Sequence, residues 1–166
     1  MPRSDPRQPR WLDDHEQSAW WALLEVGSGL FDALDADLRQ RADLALEDYE
    51  VLHLLSISEH RSMRVGELAD EMLSSRTRLS QRLDRLGERG LVEKRRCPQD
   101  RRAVDVLLTD SGMELLERTA PGHVEWVREN VFDLLTRSDV DAIARSLGKL
   151  AQHLHDRRRD GVRGST

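Results

Sequence analysis

From His15 to about Arg41, apolar residues recur at Trp20, Leu23, Leu24, Gly27, Leu30, Phe31, Leu34 and Leu38. Steps of three and four place them on one stripe, so the spacing predicts a long amphipathic helix. Glu47 to Ser58 continues the helical pattern with Tyr49, Val51, Leu52 and Leu55 inward, and Glu47 and Asp48 suit the positive end of its dipole. A polar turn is expected over Glu59 to Ser62. Gly66 to Leu73 reads as a short helix buried through Leu68, Ala69 and Met72. Ser74 and Ser75 interrupt the pattern, and either can cap the next helix. That helix runs to Arg89 with Leu79, Leu83 and Leu86 on one side, and ends at Gly90, a residue free to take a left-handed conformation.

The period then changes. Leu91 to Arg96 and Ala103 to Thr109 read as strands, the second with Val104, Val106 and Leu108 alternating against Asp105 and Leu107. Cys97 to Arg102 forms the polar tip between them. Thr109 caps another long helix, with Asp110 in its first turn, expected to reach about Leu135 and to bend near Pro121-Gly122. A final helix over Ser138 to Arg157 carries Ile143, Leu147, Leu150 and Leu154 on one stripe. The segments 1–12, rich in Pro and Arg, and 158–166, charged and Gly-containing, read as disordered ends. The predicted fold is mainly α with a small β-hairpin. Helix, tight turn, helix and a two-stranded hairpin with a basic tip together describe a winged helix-turn-helix.

Composition sharpens this picture. Of 166 residues, 34% are charged and 4% aromatic, which suits charged helices better than a sandwich. The net charge of −5 argues at first against a polyanionic partner. Its distribution argues the other way: Ser74 to Arg102 holds ten Arg or Lys against four Asp or Glu, a local +6 against −11 elsewhere. The single cysteine, Cys97, excludes an intrachain disulfide or a multi-thiolate zinc site. No apolar run approaches the roughly 18 residues of a membrane span, and Met1 to Arg10 lacks a secretory pattern. A soluble cytoplasmic protein with no membrane partner is the expectation.

The helix after Ser75 carries the chemistry. At about 100° per residue, with Leu79, Leu83 and Leu86 inward, Thr77, Gln81 and Glu88 point away, flanked by Arg78, Ser80, Asp84 and Arg85. Hydroxyl, amide and guanidinium groups are those that read base edges in a major groove. The first turn adds unpaired backbone N–H groups that suit phosphate. The plainer reading is a solvated Arg-rich face. At the hairpin tip, Arg101 and Arg102 stand beside Asp100, which can hold one arginine extended toward a narrow, electronegative minor groove. The plainer reading there is a loop ion pair of little energetic consequence.

The stretch Asp100-Arg101-Arg102-Ala103-Val104-Asp105-Val106-Leu107-Leu108-Thr109-Asp110-Ser111-Gly112 resembles the wing signature of MarR-type transcriptional regulators: Asp-x-Arg, alternating apolar residues, then Leu-Thr-x-x-Gly. Glu67-Leu68-Ala69, and Asp84-Arg85-Leu86 followed by Gly90-Leu91-Val92, match in order and spacing. The motif-bearing match covers about Val65 to Gly112, and the helical layout extends it to about residues 15–155. The resemblance implies a homodimer in which the first helix (13–45) and the last two (113–157) interlock, around a DNA-binding lobe at 46–112. The apolar stripes agree, being too extensive for one small winged domain to cover. Val124, Val127, Val131 and Leu135 belong to them.

The resemblance places Ser75, Arg76, Thr77, Arg78, Gln81, Arg82 and Arg85 on the DNA-reading helix, and Arg101 and Arg102 on the wing with Asp100 as positioning partner. Two departures stand out. Arg82 occupies a position often apolar in such helices, where it either contacts backbone phosphate or skirts the core edge, and Gly66 replaces the usual Ser or Thr cap. The implied partner is double-stranded DNA, with two recognition helices in successive major grooves and half-sites about 10 bp apart. The function expected is that of a sequence-specific regulator, a ligand-responsive repressor.

Other sites carry less. Lys94, Arg95 and Arg96 favour a Cys97 thiolate, but no second thiol resolves an oxidised form. The six histidines, His15, His53, His60, His123, His153 and His155, include no pair at the four-residue spacing of a helical metal site, so no metal or cofactor is expected. The family often keeps an effector crevice lined by the first two helices. Trp20 and His53 are candidates there, for a small aromatic or phenolic compound, against the plainer readings of Trp20 as dimer core and His53 as a satisfied core or pocket histidine. No nucleophile elbow, phosphate loop or dinucleotide fingerprint occurs, so catalysis is not expected. A protein-interaction module on a winged scaffold and a non-specific nucleic-acid binder remain the alternatives.

Overall fold

The computed structural model describes residues 9–96 and 104–163, with side chains as far as Arg158. Helix α1 spans Asp14–Ala42 and begins in a reciprocal cap: the Asp13 carboxylate accepts the Glu16 N–H at 2.8 Å, and Glu16 accepts the Asp13 N–H at 3.0 Å. Asp43, at φ 51°, ends it. Helix α2 (Leu46–Ile57) follows at once, its Leu46 N–H donating to Asp35 Oδ1 of α1 at 2.8 Å.

A 3₁₀ turn at Glu59–Arg61 leads into a short strand β1 (Ser62–Arg64), then α3 (Val65–Glu71), α4 (Arg76–Glu88), β2 (Val92–Arg96) and β3 (Val104–Leu108). The sheet is antiparallel in the order β1-β3-β2. The sequence reading had no β1. Its three residues carry no alternation of their own and become a strand by pairing Ser62, Met63 and Arg64 with Leu107, Val106 and Asp105. Its start also moves α3 forward: Arg64 is the N-cap and Gly66 lies inside the helix, so the expected capping role of Gly66 is corrected.

Helix α5 (Asp110–Asn130) starts at Thr109, whose hydroxyl accepts the Gly112 N–H at 3.0 Å. It passes Pro121 and stops at Asn130, five residues before the expected end, because Val131 leaves helical geometry for a 3₁₀ turn at Phe132–Leu134. Helix α6 spans Arg137–Arg163, introduced by a reciprocal cap between Thr136 and Asp139. It therefore runs six residues past the expected Arg157 into the tail read as disordered. Arg158, half-buried, bonds to the Ser74 carbonyl and anchors this extension.

The core lies under the sheet and α1–α5. Leu38, Leu44, Val51, Leu52, Leu55, Leu68, Leu79, Leu83, Leu86 and Val106 are fully buried. The inward positions expected on α2 and α4 are all among the buried residues. The long stripes behave differently. On α1 only the C-terminal Leu34 and Leu38 are buried, whereas Trp20, Trp21, Leu23, Leu24 and Phe31 are exposed, as are Ile143, Leu147, Leu150 and Leu154 on α6. Among the described residues, no helix is long and apolar enough to cross a membrane.

Candidate nucleic-acid interface

Helix α4 is built to present one polar face. Leu79, Leu83 and Leu86 fasten it to the core, while Arg76, Thr77, Arg78, Gln81 and Arg85 are exposed. Ser75, of the two candidate serines, is the N-cap: its Oγ accepts the Arg78 N–H at 3.3 Å. Among the described residues, no carboxylate pairs with Arg76, Arg78 or Arg85, so their charge faces solvent. Gly90, at φ 72°, closes the helix in the left-handed turn that its lack of a side chain permits.

Arg82 does not share that face. Its side chain is 15% exposed, and its guanidinium turns to the first turn of α2, bonding to Asp48 Oδ1 at 2.5 Å and to Glu47. Of the two roles open to Arg82, phosphate contact or the edge of the core, this geometry matches the second: the side chain lies between two helices. Seven residues on, Arg89 donates to the Asp43 carbonyl at 2.9 Å. Both ends of the same α4 flank are thus tied to the segment joining α1 and α2. In α1, Arg39 bonds to Asp35, and together with the Leu46 N–H it holds the Asp35 carboxyl below the usual carboxylate range.

Lys94 of β2, which the sequence offered only as a cationic neighbour of Cys97, has a different role. Its Nζ reaches Asp84 Oδ1 at 2.7 Å and the Ser80 carbonyl at 3.2 Å. It secures the base of the hairpin to α4 and neutralises the acidic group nearest the exposed arginines. A lysine in a basic strand carries no local signal for this, because its partners are 10 and 14 residues away. Further along, Arg95 forms two 3.0 Å bonds with Glu93 and lowers the pKa of that carboxyl. Cys97, Asp100, Arg101 and Arg102 lie outside the described residues.

Among the described residues, the cavity that His53 borders does not include Trp20. Trp20 is 48% exposed on α1. His53 borders a groove of roughly 280 Å³ lined by Glu50, Leu54, Glu71, Met72 and Leu73, and stacks parallel to Tyr49 at 6.3 Å between ring centres. His123 of α5 also meets Tyr49, with ring centres 4.4 Å apart and the rings tilted. Burial, chiefly, and the nearby His53 push the His123 pKa down against an opposing pull from Asp37. Among the described residues, neither His123 Nδ1 nor Asp37 Oδ2 has a hydrogen-bond partner. No group of three or more potential metal ligands occurs among the described residues.

The family model described as MarR family matches residues 46–104, from the start of α2 into β3. The transcriptional repressor MprA of Escherichia coli K12 is 29% identical over 114 residues, which cover 69% of this chain and 64% of MprA. The chain thus spans somewhat under two thirds of that curated relative. AbsC, a MarR family transcriptional regulator from Streptomyces coelicolor, is 39% identical, with a TM-score of 0.84 over 89% of this chain and 99% of AbsC. Sco3205, a regulator of the same family and organism, solved in complex with DNA, is 38% identical, with a TM-score of 0.85 over 89% of this chain and 92% of its own.

Proposed function

The chain belongs to the MarR family, and from that premise we propose that it is a sequence-specific, double-stranded-DNA-binding transcriptional regulator, a repressor that occupies its operator as a homodimer in the cytoplasm. The observation that carries this reading is the exposed face of α4. Thr77 and Gln81, with Arg76, Arg78 and Arg85 around them, offer base-reading and phosphate-binding groups on a helix fixed from behind. The wing signature of the sequence adds Arg101 and Arg102 as proposed minor-groove contacts, with Asp100 as their proposed positioning partner. That the similar Sco3205 was solved with DNA supports the same partner here.

The division of labour follows the burial. Residues 46–112 hold most of the buried core and act as the DNA-binding lobe. Helix α6 and the part of α1 before Leu34 leave their apolar stripes exposed, α5 adds the exposed Val124, and together they supply the surface for a second copy. Two-fold symmetry then sets two α4 helices on a pseudo-palindromic operator with half-sites about 10 bp apart. An effector acts by preferring a conformer whose helix separation misfits DNA, since only differential affinity shifts such an equilibrium.

Selection of bound sequences from random duplexes tests specificity, symmetry and spacing together. A pseudo-palindrome preferred by about 10³-fold or more over random duplex is expected. Enrichment of nothing, with only a steep salt dependence, would identify a non-specific binder. No duplex binding at low salt would leave the protein-interaction module.

A further inference from the structure

The end of α6 returns to the turn between α3 and α4. There the Arg158 guanidinium donates from Nη2 to the Ser74 carbonyl oxygen, and its Nε lies 4.0 Å from Asp70 Oδ1. The Arg158 side chain is 29% exposed, whereas Arg157 beside it faces solvent. Helix α6 packs against α3 at this point.

The turn that receives Arg158 is short and constrained. The N–H groups of Met72, Leu73 and Ser74 fold back onto the carbonyls of Leu68, Asp70 and Ala69 at 3.0, 3.2 and 3.0 Å. Leu73 crosses the turn at φ 48°, a left-handed conformation that a branched side chain adopts at a cost. Ser74 is the residue immediately before the N-cap of α4, and among the described residues the hydrogen-bond donor to its carbonyl is Arg158. A guanidinium suits the role, because a charged donor strengthens the bond and the same planar fork also faces a carboxylate.

Position along α6 gives the contact its meaning. Arg158 follows Leu154 by four residues and so continues the stripe of Ile143, Leu147, Leu150 and Leu154. That stripe is exposed and Arg158 is not, so the face offered to a second copy ends in the contact to the turn. A helix is stiff along its axis, and whatever holds the stripe also holds this end.

We propose that Arg158 is a positioning residue for DNA binding: it clasps the end of α6 to the turn that feeds α4, so that the helical frame and the base-reading helix move as one body. The proposal rests on the DNA-binding reading above. It needs no contact between Arg158 and DNA.

The test uses the full chain as wild type, Arg158→Ala and Arg158→Lys. Hydrogen–deuterium exchange is followed over residues 72–79 without DNA, operator affinity is measured across salt concentrations, and sedimentation reports the assembly state. For Arg158→Ala, unchanged assembly, amide exchange at Arg78 and Leu79 faster by about tenfold, and operator affinity lower by about tenfold are expected, with the salt slope unchanged. Arg158→Lys keeps the charge near Asp70 and one donor, and recovers part of both effects. Wild-type exchange and affinity in Arg158→Ala would overturn the proposal. So would an affinity loss with normal exchange, a salt slope smaller by about one, and full recovery with lysine, which would make Arg158 a phosphate contact. If the wild-type chain ignores every duplex, the proposal falls with the reading beneath it, and the exchange data still report whether the clasp exists.

Discussion

Arg82 of α4 donates from Nη1 to Asp48 Oδ1 of α2 at 2.5 Å, and each side chain is 15% exposed. A guanidinium on the helix that carries the DNA-reading face is thereby spent on holding that helix against its neighbour. Arg82→Ala leaves Asp48 half-buried without its cation, which should cost about 2 kcal/mol. The melting temperature should fall by about 4–8 °C. Operator affinity should drop while the salt slope stays as in the wild type, because no phosphate contact is lost. A normal melting temperature with a shallower slope would return Arg82 to the DNA surface.

Gly112 carries a different constraint. A Cβ at this position would overlap the Leu91 carbonyl oxygen and stand 2.7 Å from Leu108 Cδ1. The Thr109 hydroxyl lies in the same joint, bonded to the Gly90 carbonyl at 2.7 Å. The Leu-Thr-x-x-Gly spacing is therefore a close approach of α5 to the base of the hairpin. Gly112→Ala should destabilise by about 1–3 kcal/mol or more in thermal or urea unfolding. Gly87→Ala is the control: its Cβ would meet the Val92 carbonyl at an ordinary 3.7 Å. A gain of up to about 1 kcal/mol from helix propensity is expected there. Equal effects of the two substitutions would refute the packing argument.

His123 makes stability depend on pH. Its pKa in the folded chain is held below the ordinary imidazole range by burial and by His53, with Asp37 opposing. As pH falls below about 6.5, the unfolded chain takes up a proton that the folded chain refuses. Stability is then full above that pH and declines beneath it until the folded group also titrates. Asp35 and Asp139, both lowered by hydrogen bonds, lose their contributions in a more acidic range. Glu50, raised by burial and by Glu47, acts in the opposite direction, gaining stability as pH falls toward the ordinary glutamate range. Melts at pH 7.5 and 5.5 should therefore differ less in His123→Gln than in the wild type, and an identical difference would assign the effect elsewhere.

Gln81 is exposed on α4 one turn beyond Thr77, where an amide can read a base edge. Gln81→Ala should relax base preference at one position of each half-site by about 1–3 kcal/mol, with little change in melting temperature. Repeating the duplex selection with the variant checks this. An unchanged consensus, symmetric at every position, would remove Gln81 from sequence reading.

Local pattern alone located all six helices and two of the three strands, with Ser75, Thr109 and Gly90 among their boundaries. A cap or a left-handed glycine acts over three or four residues, and such signals lie within reach of the sequence. The strand Ser62–Arg64 had no such signal, since its identity depends on Leu107, Val106 and Asp105 more than forty positions away. The end of α5 was misplaced because Val131 and Phe132 preserve apolar spacing while the backbone departs from the helix.

The interface divides along similar lines. The outward residues of α4 follow from helical geometry once three leucines are turned inward, and composition alone places the excess positive charge there. The fate of individual charges does not follow. Arg78 and Arg82 are the same residue type four positions apart on one helix, yet one faces solvent and the other is claimed by Asp48. Lys94 and Arg158 likewise look like surface charges until folding brings Asp84 and Ser74 to them. Backbone form is set by neighbours along the chain, whereas the work assigned to a long charged side chain depends on which carboxylate or carbonyl the packed structure places within its reach.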